Sequence, residues 1–497
     1  MKRNALIRCA AWLLTLCAVM PMAMSCGDDS GKNPSSTTAG KKETETIDEN
    51  DPYADRLKVS DDLGEYDFNK SEYRIVTTNN ENMYWVEQET ADVVDTAIYQ
   101  RNRAVEERFN CVISVVQSAS SADPIGYINR HVTTGANAFE LASAHVVLLG
   151  GLVPSNLVLN WYEIPNINFD KPWWSTSNTE LLTYNDVCLV ALGDLALNAM
   201  SASYCVYYNK RLGSDYDFPD LFEIVDNGEW TIDKITELSK DIYVDLNMDG
   251  VVDKDSDLFG YYSDSQSNMN AYLWAFDNPI FKKVGDELEL VYKTDKLTSI
   301  VSKLVDTFSV YRGIQQRGIG GAEQIPMPPV LFEESRAVFI NGLISQALTD
   351  FRAMDDDYSI LPYPKWDEAQ DEYYTMVDGL HDALAIPVTI EDPEFVGTIT
   401  EALCAESYKI VFPQYYDVAL KVKGTRDPES IEMLDRIVQS RVFDFGYLFD
   451  NWKGFSFLLE SQVQRKNKNI ESTYKRNERS AMKWYNSILE AFENYEG

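Results

Sequence analysis

The stretch Tyr73-Arg74-Ile75-Val76-Thr77 decides the fold, because it predicts the strand that opens the folded part of the chain. Apolar residues then recur at helical spacings of four, seven and four, at Val94, Ile98, Val105 and Phe109. A second strand is predicted at residues 111–116. Strand, helix and strand within about 45 residues indicate a parallel pair with a right-handed crossover, the beginning of an open α/β sheet.

The rest of the chain continues this alternation. Further strands are predicted at residues 139–142, 146–149, 187–192, 204–208, 337–340 and 384–387. Further helices are predicted at residues 232–244, 297–308, 395–407 and 431–442, with a last apolar helical stripe between 481 and 492. The pattern therefore predicts an α/β protein.

The first residues have the pattern of an export signal. Basic residues precede the apolar run 10–24, and the small Ser25 is followed by Cys26. A membrane-spanning helix needs about 20 apolar residues, and this run is shorter. We expect residues 1–25 to be removed, Cys26 to carry lipid and residues 26–69 to be a flexible tether, which places the protein on the extracellular face of the cytoplasmic membrane. Ordinary cleavage to a freely secreted protein is the alternative.

Length and charge limit the classes of function. A chain of 497 residues exceeds one ordinary domain, and two large lobes fit its length. The net charge of −35 repels nucleic acid and anionic lipid, so we expect no nucleic-acid partner and contact with the membrane only through the N-terminal lipid.

Cysteine and histidine usage excludes common metal and catalytic motifs. Cys111, Cys188, Cys205 and Cys404 fit no zinc or redox spacing, and we expect mostly free thiols in the core. The three histidines give little material for a His-based cluster.

The chain resembles the family 1 extracellular solute-binding proteins, the maltose-binding-protein-like lipoproteins of ABC sugar importers, at Val206-Tyr207-Tyr208-Asn209-Lys210-Arg211-Leu212. Further similar segments follow in the family's order. Trp230-Thr231 resembles its helix start, and Phe332-Glu333-Glu334-Ser335-Arg336-Ala337 resembles its Phe-x-x-Gly-x-Ala segment, with Ser335 in place of Gly. Leu361-Pro362-Tyr363-Pro364 resembles its Leu-Pro-x-Pro strand.

This resemblance implies a two-lobed periplasmic-binding-protein-like α/β fold with hinge crossings and a cleft between the lobes. By analogy, lobe one takes residues 70–202 and 375–424, and lobe two takes residues 203–374 and 425–497. The implied function is capture of a carbohydrate, in particular an oligosaccharide, for the permease of an ABC transporter, by a monomer without enzyme activity. A surface-anchored glycan-degrading enzyme and a binding protein for a peptide remain the alternatives.

Aromatic side chains beside polar loops are the first candidates for ligand contacts. Sugar rings bind through their C–H faces to flat apolar platforms. The candidates are Trp161, Tyr162, Trp173, Trp174, Tyr262, Trp274 and Trp452. The alternative for each of them is ordinary core packing.

A polar loop gives two more candidates. Asp378 and His381 lie where the resemblance returns the chain between the lobes, and ligands prefer crevices between domains. A capped turn before the following strand is the alternative.

One segment has the spacing of a calcium loop. Oxygen-bearing groups recur at alternate positions around a Gly at the sixth position, at Asp245, Asn247, Asp249, Val251 and Asp253. The twelfth position, which usually holds a Glu, is Ser256, and Asp257 follows it as a substitute ligand. We expect either a structural calcium ion or an Asx-turn loop without metal, and no other cofactor.

A basic run stands out in the acidic chain. Its residues are Arg465, Lys466, Lys468, Lys475, Arg476 and Arg479. A solvated helical face is the ordinary explanation, and docking to a permease is the alternative.

Overall fold

The computed structural model describes residues 53–77, 81–117, 124–254, 256–264, 266–318 and 327–495, which belong to one compact unit. The predicted export signal and the predicted lipidation site Cys26 lie outside the described residues. No helix in the described part is both long enough and apolar enough to cross a membrane.

The strands are short and are spread along the whole described chain. They are β1 Ser71–Thr77, β2 Cys111–Gln117, β3 Leu141–His145, β4 Thr183–Tyr184, β5 Val187–Cys188, β6 Tyr204–Asn209, β7 Tyr243–Val244, β8 Leu258–Ser263, β9 Phe281–Val284, β10 Glu287–Leu290, β11 Ile314–Gln316, β12 Ala337–Leu343, β13 Tyr358–Leu361, β14 Thr375–Met376, β15 Asp382–Ala385 and β16 Arg441–Val442.

Helices fill most of the connections. They are α1 Ala54–Leu57, α2 Glu81–Tyr84, α3 Val93–Phe109, α4 Pro124–Thr133, α5 Val146–Leu149, α6 Thr176–Leu182, α7 Asn198–Ser201, α8 Lys210–Asp215, α9 Leu221–Asp226, α10 Ile232–Ser239, α11 Ser267–Ala275, α12 Asp295–Val310, α13 Pro328–Glu333, α14 Pro393–Glu406, α15 Pro428–Gln439, α16 Phe445–Leu448, α17 Leu458–Gln464 and α18 Ile470–Glu493. Short 3₁₀ turns lie at Gly150–Ser155, Trp161–Glu163 and Ile344–Ala347, and π-helical turns at Ser407–Val411 and Gln414–Gly424.

Sheet one has four strands in the order β15-β3-β1-β2. β1 pairs in parallel with both β2 and β3, and β15 runs antiparallel to β3. Helix α3 connects β1 to β2; the Asp92 side chain caps its first turn, and Asn110 ends it in the left-handed conformation at φ 49°. The predicted parallel pair and its connecting helix are confirmed.

Sheet two has five main strands in the order β11-β8-β12-β6-β13, with β7 paired to the edge of β8. β8, β11 and β12 are parallel, whereas β6 runs antiparallel to β12 and β13. The strands predicted at 204–208 and 337–340 lie inside β6 and β12 and are confirmed.

Both sheets are covered on both faces, as mixed α/β sheets require. In β1, Tyr73 and Ile75 pack in one hydrophobic cluster, whereas Val76 packs in another. In sheet two, Ile340 and Phe339 divide in the same way. The C-terminal stripe is confirmed as core, because the last helix α18 buries its apolar side between Ala481 and Phe492.

Two predicted strands differ from the structure. Residues 146–149 form the short helix α5, and the strand predicted at 187–192 is reduced to β5, followed by a single bridge between Ala191 and Leu384. Both segments are short buried apolar runs, for which periodicity cannot distinguish helix from strand.

Two predicted helices end early for tertiary reasons. The helix predicted at 232–244 stops at Ser239, and the chain then pairs with β8 as β7. Glycine makes this approach possible, because a Cβ at Gly260 would stand 2.2 Å from the Ser239 carbonyl oxygen. The helix predicted at 431–442 likewise ends at Gln439, and its last residues pair with β14 as β16.

The predicted tether is too long at its C-terminal end. Residues 53–69 pack on the folded body: Arg108 Nη2 donates to Asp61 Oδ1 at 3.1 Å, and the Arg56 guanidinium lies 4.4 Å from the Tyr408 ring centroid. The apolar residues of this segment have no helical or strand period, so composition alone assigned them to the tether.

The four cysteines of the described part are buried and not paired with one another. Burial raises the pKa of the Cys111 and Cys188 thiols to about 12, which keeps them protonated and unreactive.

A buried carboxylate holds helix α14 against the segment before α6. Glu401 is fully buried and accepts hydrogen bonds from Trp173 Nε1 at 3.0 Å and from Trp174 Nε1 at 2.8 Å. Burial raises the pKa of Glu401 to about 7, although both indole donors act in the opposite direction.

This raised pKa predicts a pH dependence of stability. The folded state holds the Glu401 proton more tightly than the unfolded state, so its stabilising contribution is present at low pH and is lost as the pH rises toward 7. Glu401→Gln cannot titrate at this position. Between about pH 5 and about pH 7, its free energy of unfolding should therefore fall by about 2 kcal/mol less than that of the parent. Denaturant unfolding across this range measures the slope. The exposed Glu391→Gln is the control, and an unchanged slope in Glu401→Gln contradicts the assignment.

Candidate functional site

One edge of sheet one gathers polar side chains. Because β1 and β3 are parallel and β15 is antiparallel to them, the carboxyl ends of β1 and β3 lie beside the amino end of β15. Thr77 is in register with Ser143, and His145 is in register with Asp382. Ligands of open α/β sheets bind outside this kind of edge.

The corresponding edge of sheet two is built in the same way. The carboxyl ends of β8 and β11 place Ser263 opposite Gln316, and the carboxyl end of β12 places Leu343 opposite Tyr204, the first residue of β6. Tyr204 thus lies at the edge of sheet two where the parallel strands end.

Three chain segments connect these two edges, at residues 202–204, 375–381 and 441–443; we call them the junction. Ser203 bridges Val377, and the Asp378 N–H donates to the Ala202 carbonyl at 2.9 Å. β14 and β16 then pair in parallel beside them. The first segment leads into β6 of sheet two and the second into β15 of sheet one, so the two edges are tied at one place.

A buried hydrogen bond joins the edges directly. The Tyr204 hydroxyl donates to the Asp378 carboxylate, which also accepts from the Leu380 N–H at 2.8 Å. Burial raises the pKa of Asp378, and these two donors offset part of that shift. The Asp378 carbonyl oxygen lies 2.6 Å from His381 Nδ1, and burial lowers the pKa of His381 to about 4.

Tyr84 extends this polar network into sheet one. Its hydroxyl lies 2.5 Å from Ser143 Oγ and donates to Asp382 Oδ2 at 2.8 Å. The fully buried Arg101 fixes Tyr84 through its backbone, because Nη2 donates to the Tyr84 carbonyl at 2.8 Å. Burial lowers the pKa of Arg101 only to about 10, so its guanidinium stays charged at neutral pH. Helix α3 therefore positions the edge of sheet one with a charged group.

Sheet two contributes a second set of polar groups beyond β8 and β11. Arg317 lies 3.9 Å from Asp264, and its Nε is buried without a hydrogen-bond partner. Glu460 Oε2 accepts from Asn270 Nδ2 at 2.6 Å, and burial raises the pKa of Glu460 to about 7. Carboxylate, amide and guanidinium groups of this kind are suited to hydrogen bonding with hydroxyl groups.

Two cavities adjoin the junction at Arg441. The smaller, of about 60 Å³, also contacts Asp194, whose pKa burial raises to about 7 and the charges of Arg56 and Arg441 lower in part. The larger, of about 610 Å³, lies between Tyr374 and the end of α15. Its volume is within the range of small-molecule sites.

Most of the predicted aromatic residues lie in the core. Trp161, Trp173 and Trp174 are buried together around Glu401, with Trp161 and Trp174 ring centroids 5.7 Å apart. Tyr262 is buried as well. Trp274 is buried and donates through Nε1 to Asp444 Oδ2 at 2.9 Å. In this structure these rings have no open face, and ordinary packing accounts for them.

Two predicted aromatic residues are exposed. Tyr162 is 49% exposed, and its hydroxyl lies 2.9 Å from Thr183 Oγ1. Trp452 is 56% exposed at a left-handed φ of 55°, and its ring stacks on Phe457 with centroids 6.1 Å apart. A non-glycine residue in this conformation is uncommon and occurs more often at functional sites.

The loop that carries Trp452 lies next to the junction. Phe457 contacts Tyr447, with ring centroids 6.1 Å apart, and the Tyr447 hydroxyl accepts from the Gly379 N–H at 2.6 Å. Leu380, the next residue, is 55% exposed. The structure thus brings Trp452 and the predicted Asp378 and His381 into one region.

Sequence reasoning missed several groups of this region. Tyr84 ends α2, Arg317 directly follows β11 and Arg441 begins β16, whereas Asp194 lies in the connection between β5 and α7. A search for lone polar residues just after predicted strands could have found Asp194, but not the others, because their neighbours are set by chain crossings.

The predicted metal residues lie between β7 and β8. In the part of the chain that the structure describes, no group of three or more His, Cys, Asp and Glu side chains is arranged to hold a metal ion. The loop instead uses several of its side chains as hydrogen-bond acceptors for its own backbone.

Comparison with solved structures identifies proteins of similar fold. An ABC substrate-binding protein of Listeria monocytogenes in complex with cycloalternan has a TM-score of 0.51 at 12% identity, covering 85% of this chain and 98% of that chain. Maltose-bound T. maritima MalE3 has a TM-score of 0.50 at 11% identity, covering 85% and 99%. An ABC transporter solute-binding protein of Thermotoga lettingae bound with α-D-tagatose has a TM-score of 0.51 at 14% identity, covering 84% and 100%.

No protein-family model matches the sequence, and no curated protein matches it. The likeness to the solved structures shows the fold: this chain has the two-lobed α/β architecture of those binding proteins.

The junction predicts one stability effect. Tyr204→Phe removes the hydroxyl that donates to Asp378 and leaves a buried carboxylate with one donor fewer, so the free energy of unfolding should fall by about 1–3 kcal/mol. Denaturant unfolding near neutral pH measures this loss. Tyr216→Phe, on an exposed ring after α8, should leave stability unchanged. Equal stability of Tyr204→Phe and the parent contradicts the role of this contact.

Proposed function

We propose that this protein is an extracellular solute-binding protein that captures a carbohydrate, in particular an oligosaccharide, and presents it to the permease of an ABC importer. The observation that carries the proposal is the junction, which ties the ligand-binding edges of two α/β sheets together in the architecture of proteins solved with bound sugars. The protein carries out no reaction in this role.

The chemistry of the two edges supports a polar, uncharged ligand. Sheet two offers an acceptor and a donor in Asp264 and Arg317, whereas Asp382 and Tyr84 of sheet one are buried and hydrogen-bonded to each other, so they hold the edge in place. Sugar hydroxyls donate and accept at once, and paired carboxylate and guanidinium groups satisfy both functions. Trp452 supplies the exposed aromatic face on which a sugar ring packs.

The hinge geometry supports a transport role. The junction consists of three short adjacent segments, which can act as a hinge between two lobes. A ligand bound between the lobes then stabilises the closed arrangement. A permease then distinguishes loaded from empty protein by shape. We propose one ligand per monomeric chain, with lobe limits at residues 202 and 374 and the third crossing at 441–443 in place of residue 424.

Thermal melting against a panel of monosaccharides, oligosaccharides and short peptides tests the function. A ligand that binds only the folded protein raises the melting temperature by mass action. The proposal predicts a clear rise with one class of sugar and recovery of that sugar unchanged. A rise with peptides alone assigns the protein to another class of cargo, and release of hydrolysis products assigns it to a glycan-degrading enzyme.

Trp452 gives the panel a variant with a matched control. Trp452→Ala removes the aromatic platform and should weaken binding of the selected sugar by about tenfold. Calorimetric titration measures the affinity. Tyr216→Ala removes another exposed ring, directly after α8 and beyond the opposite end of β6 from Tyr204, and should bind as the parent does. Equal affinities of all three proteins would remove Trp452 from the site.

Lipid anchoring through Cys26 completes the proposal and places the protein on the extracellular face of the cytoplasmic membrane. The small residue before Cys26, which follows an apolar signal run, supports it. Metabolic labelling with a fatty acid should mark the parent chain and not Cys26→Ala. An unlabelled parent chain contradicts the anchor and favours a secreted protein.

A further inference from the structure

The loop between β7 and β8 is folded around its own acidic side chains. Asp245 Oδ2 accepts from the Gly250 N–H at 2.8 Å, and Gly250 adopts a φ of 78° that permits the turn. Asn247 Oδ1 accepts from the Asp249 N–H at 3.0 Å, and Asp249 Oδ1 from the Val251 N–H at 2.7 Å.

Two acidic residues face each other where the loop begins and ends. Val244 of β7 is in antiparallel register with Leu258 of β8. The next pair in that register is Asp245 and Asp257. Directly opposed side chains have Cβ atoms about 4.5–5.5 Å apart, and like charges in such a pair destabilise the sheet.

Each of these two carboxylates has a buried oxygen without a hydrogen-bond partner. The unpartnered atoms are Oδ1 of Asp245 and Oδ1 of Asp257, and Asp257 is fully buried. The other Asp257 oxygen, Oδ2, accepts from the Asp253 N–H at 2.7 Å and from the Tyr243 hydroxyl at 2.8 Å, which fixes the carboxylate against the loop. A buried anion without a compensating partner is costly.

No basic side chain of the described part donates a hydrogen bond to these two oxygens. Arg336 Nη1 donates to the backbone carbonyls of Asp257 and Lys254, not to a loop carboxylate. Lys254 Nζ points away and donates to the Gln316 carbonyl. The Arg312 guanidinium lies over the Tyr243 ring at 4.0 Å. In the described part, the facing pair therefore has no cationic hydrogen-bond partner at these two oxygens.

We propose that this loop binds a calcium ion between the bare oxygens of Asp245 and Asp257. Because the described part contains no ready cluster of three acidic, His or Cys side chains, the remaining ligands are neutral oxygens, those of Asn247 and the Val251 carbonyl, together with water. Oxygen-only donors and an irregular loop favour calcium over zinc, which prefers nitrogen and sulfur, and over magnesium, which demands octahedral geometry.

The site is structural and separate from the proposed sugar site. It closes the connection into β8, whose opposite end carries Ser263 at the ligand-binding edge. Calcium bound here pairs the charges of Asp245 and Asp257 and stabilises the β7–β8 pair. Its presence or absence is independent of whether the protein binds sugar.

Terbium luminescence tests the site on the full-length chain after treatment with a chelator. Terbium binds in calcium sites and is excited through a nearby tyrosine, and Tyr243 bonds directly to Asp257. We expect tyrosine-excited terbium emission that calcium displaces and magnesium at the same concentration does not. In the same sample, millimolar calcium chloride should raise the melting temperature by about 2 °C or more.

Two variants and one control localise the effect. Asp245→Asn and Asp257→Asn should each lose the calcium-dependent shift, and in chelator Asp257→Asn should melt no lower than the parent because the facing charges are relieved. Asp241→Asn removes an equal charge from an exposed site four residues before Asp245 and should keep the full shift.

Either of two results overturns the proposal. In the parent chain, the absence of both terbium emission and a calcium shift means that the loop holds no metal. A shift that persists in both Asp245→Asn and Asp257→Asn places the calcium elsewhere. Should Asp257→Asn fail to fold, Asp245→Asn, which changes a less buried side chain, carries the test alone.

Discussion

The hydrogen bond from the Tyr204 hydroxyl to the buried Asp378 carboxylate ties together the two halves of this protein. Tyr204 begins β6 in sheet two, and Asp378 lies four residues before β15 in sheet one. A carboxylate in this position is costly to bury, so its donors must stay in place for the fold to be stable. The polar edges of the two sheets face one junction because the crossing segments are held at this contact.

Aromatic and polar residues differ in where the fold buries or exposes them. Most rings complete the cores, both beside the junction, as Trp274 does against Tyr447, and elsewhere, as Trp173 and Trp174 do around Glu401. Polar groups gather where strands end, and there they are buried and hydrogen-bonded to one another, as Tyr84 and Asp382 are. Trp452 is the exception, an exposed ring whose loop is anchored beside Gly379 through Tyr447 and Phe457. An exposed apolar face beside buried charged groups is the combination that a sugar site needs.

Local patterns predicted the fold well where one element dominates a stretch. The β1–α3–β2 unit follows from β-branched residues, a helical stripe and caps that act within a few residues. Prediction failed where contacts with residues distant in sequence decide the local structure. Residues 243–244 leave the predicted helix because Gly260 lets β8 approach, and residues 53–69 are ordered by side chains such as Arg108.

The site was harder to predict than the fold. Asp378 and His381 were predicted as ligand contacts because a polar loop at a chain crossing is visible in sequence. The structure places both, buried, at the junction, and their contact with a ligand stays a prediction. The sequence did not distinguish core tryptophans from sugar-binding ones, because both give the same local pattern. Burial distinguishes them, and burial depends on the tertiary structure. Tyr84 and Arg101 were missed for the same reason, since their roles arise from contacts across sheet one.

Hydrogen exchange with and without a bound sugar tests the central claim most directly. If the ligand binds between the two edges, amide protons should gain protection in segments of both sheets, around residues 141–145 and 377–382 on one side and 261–264 and 314–317 on the other. Protection confined to one sheet, or to surfaces away from the junction, while the sugar is bound would contradict the account.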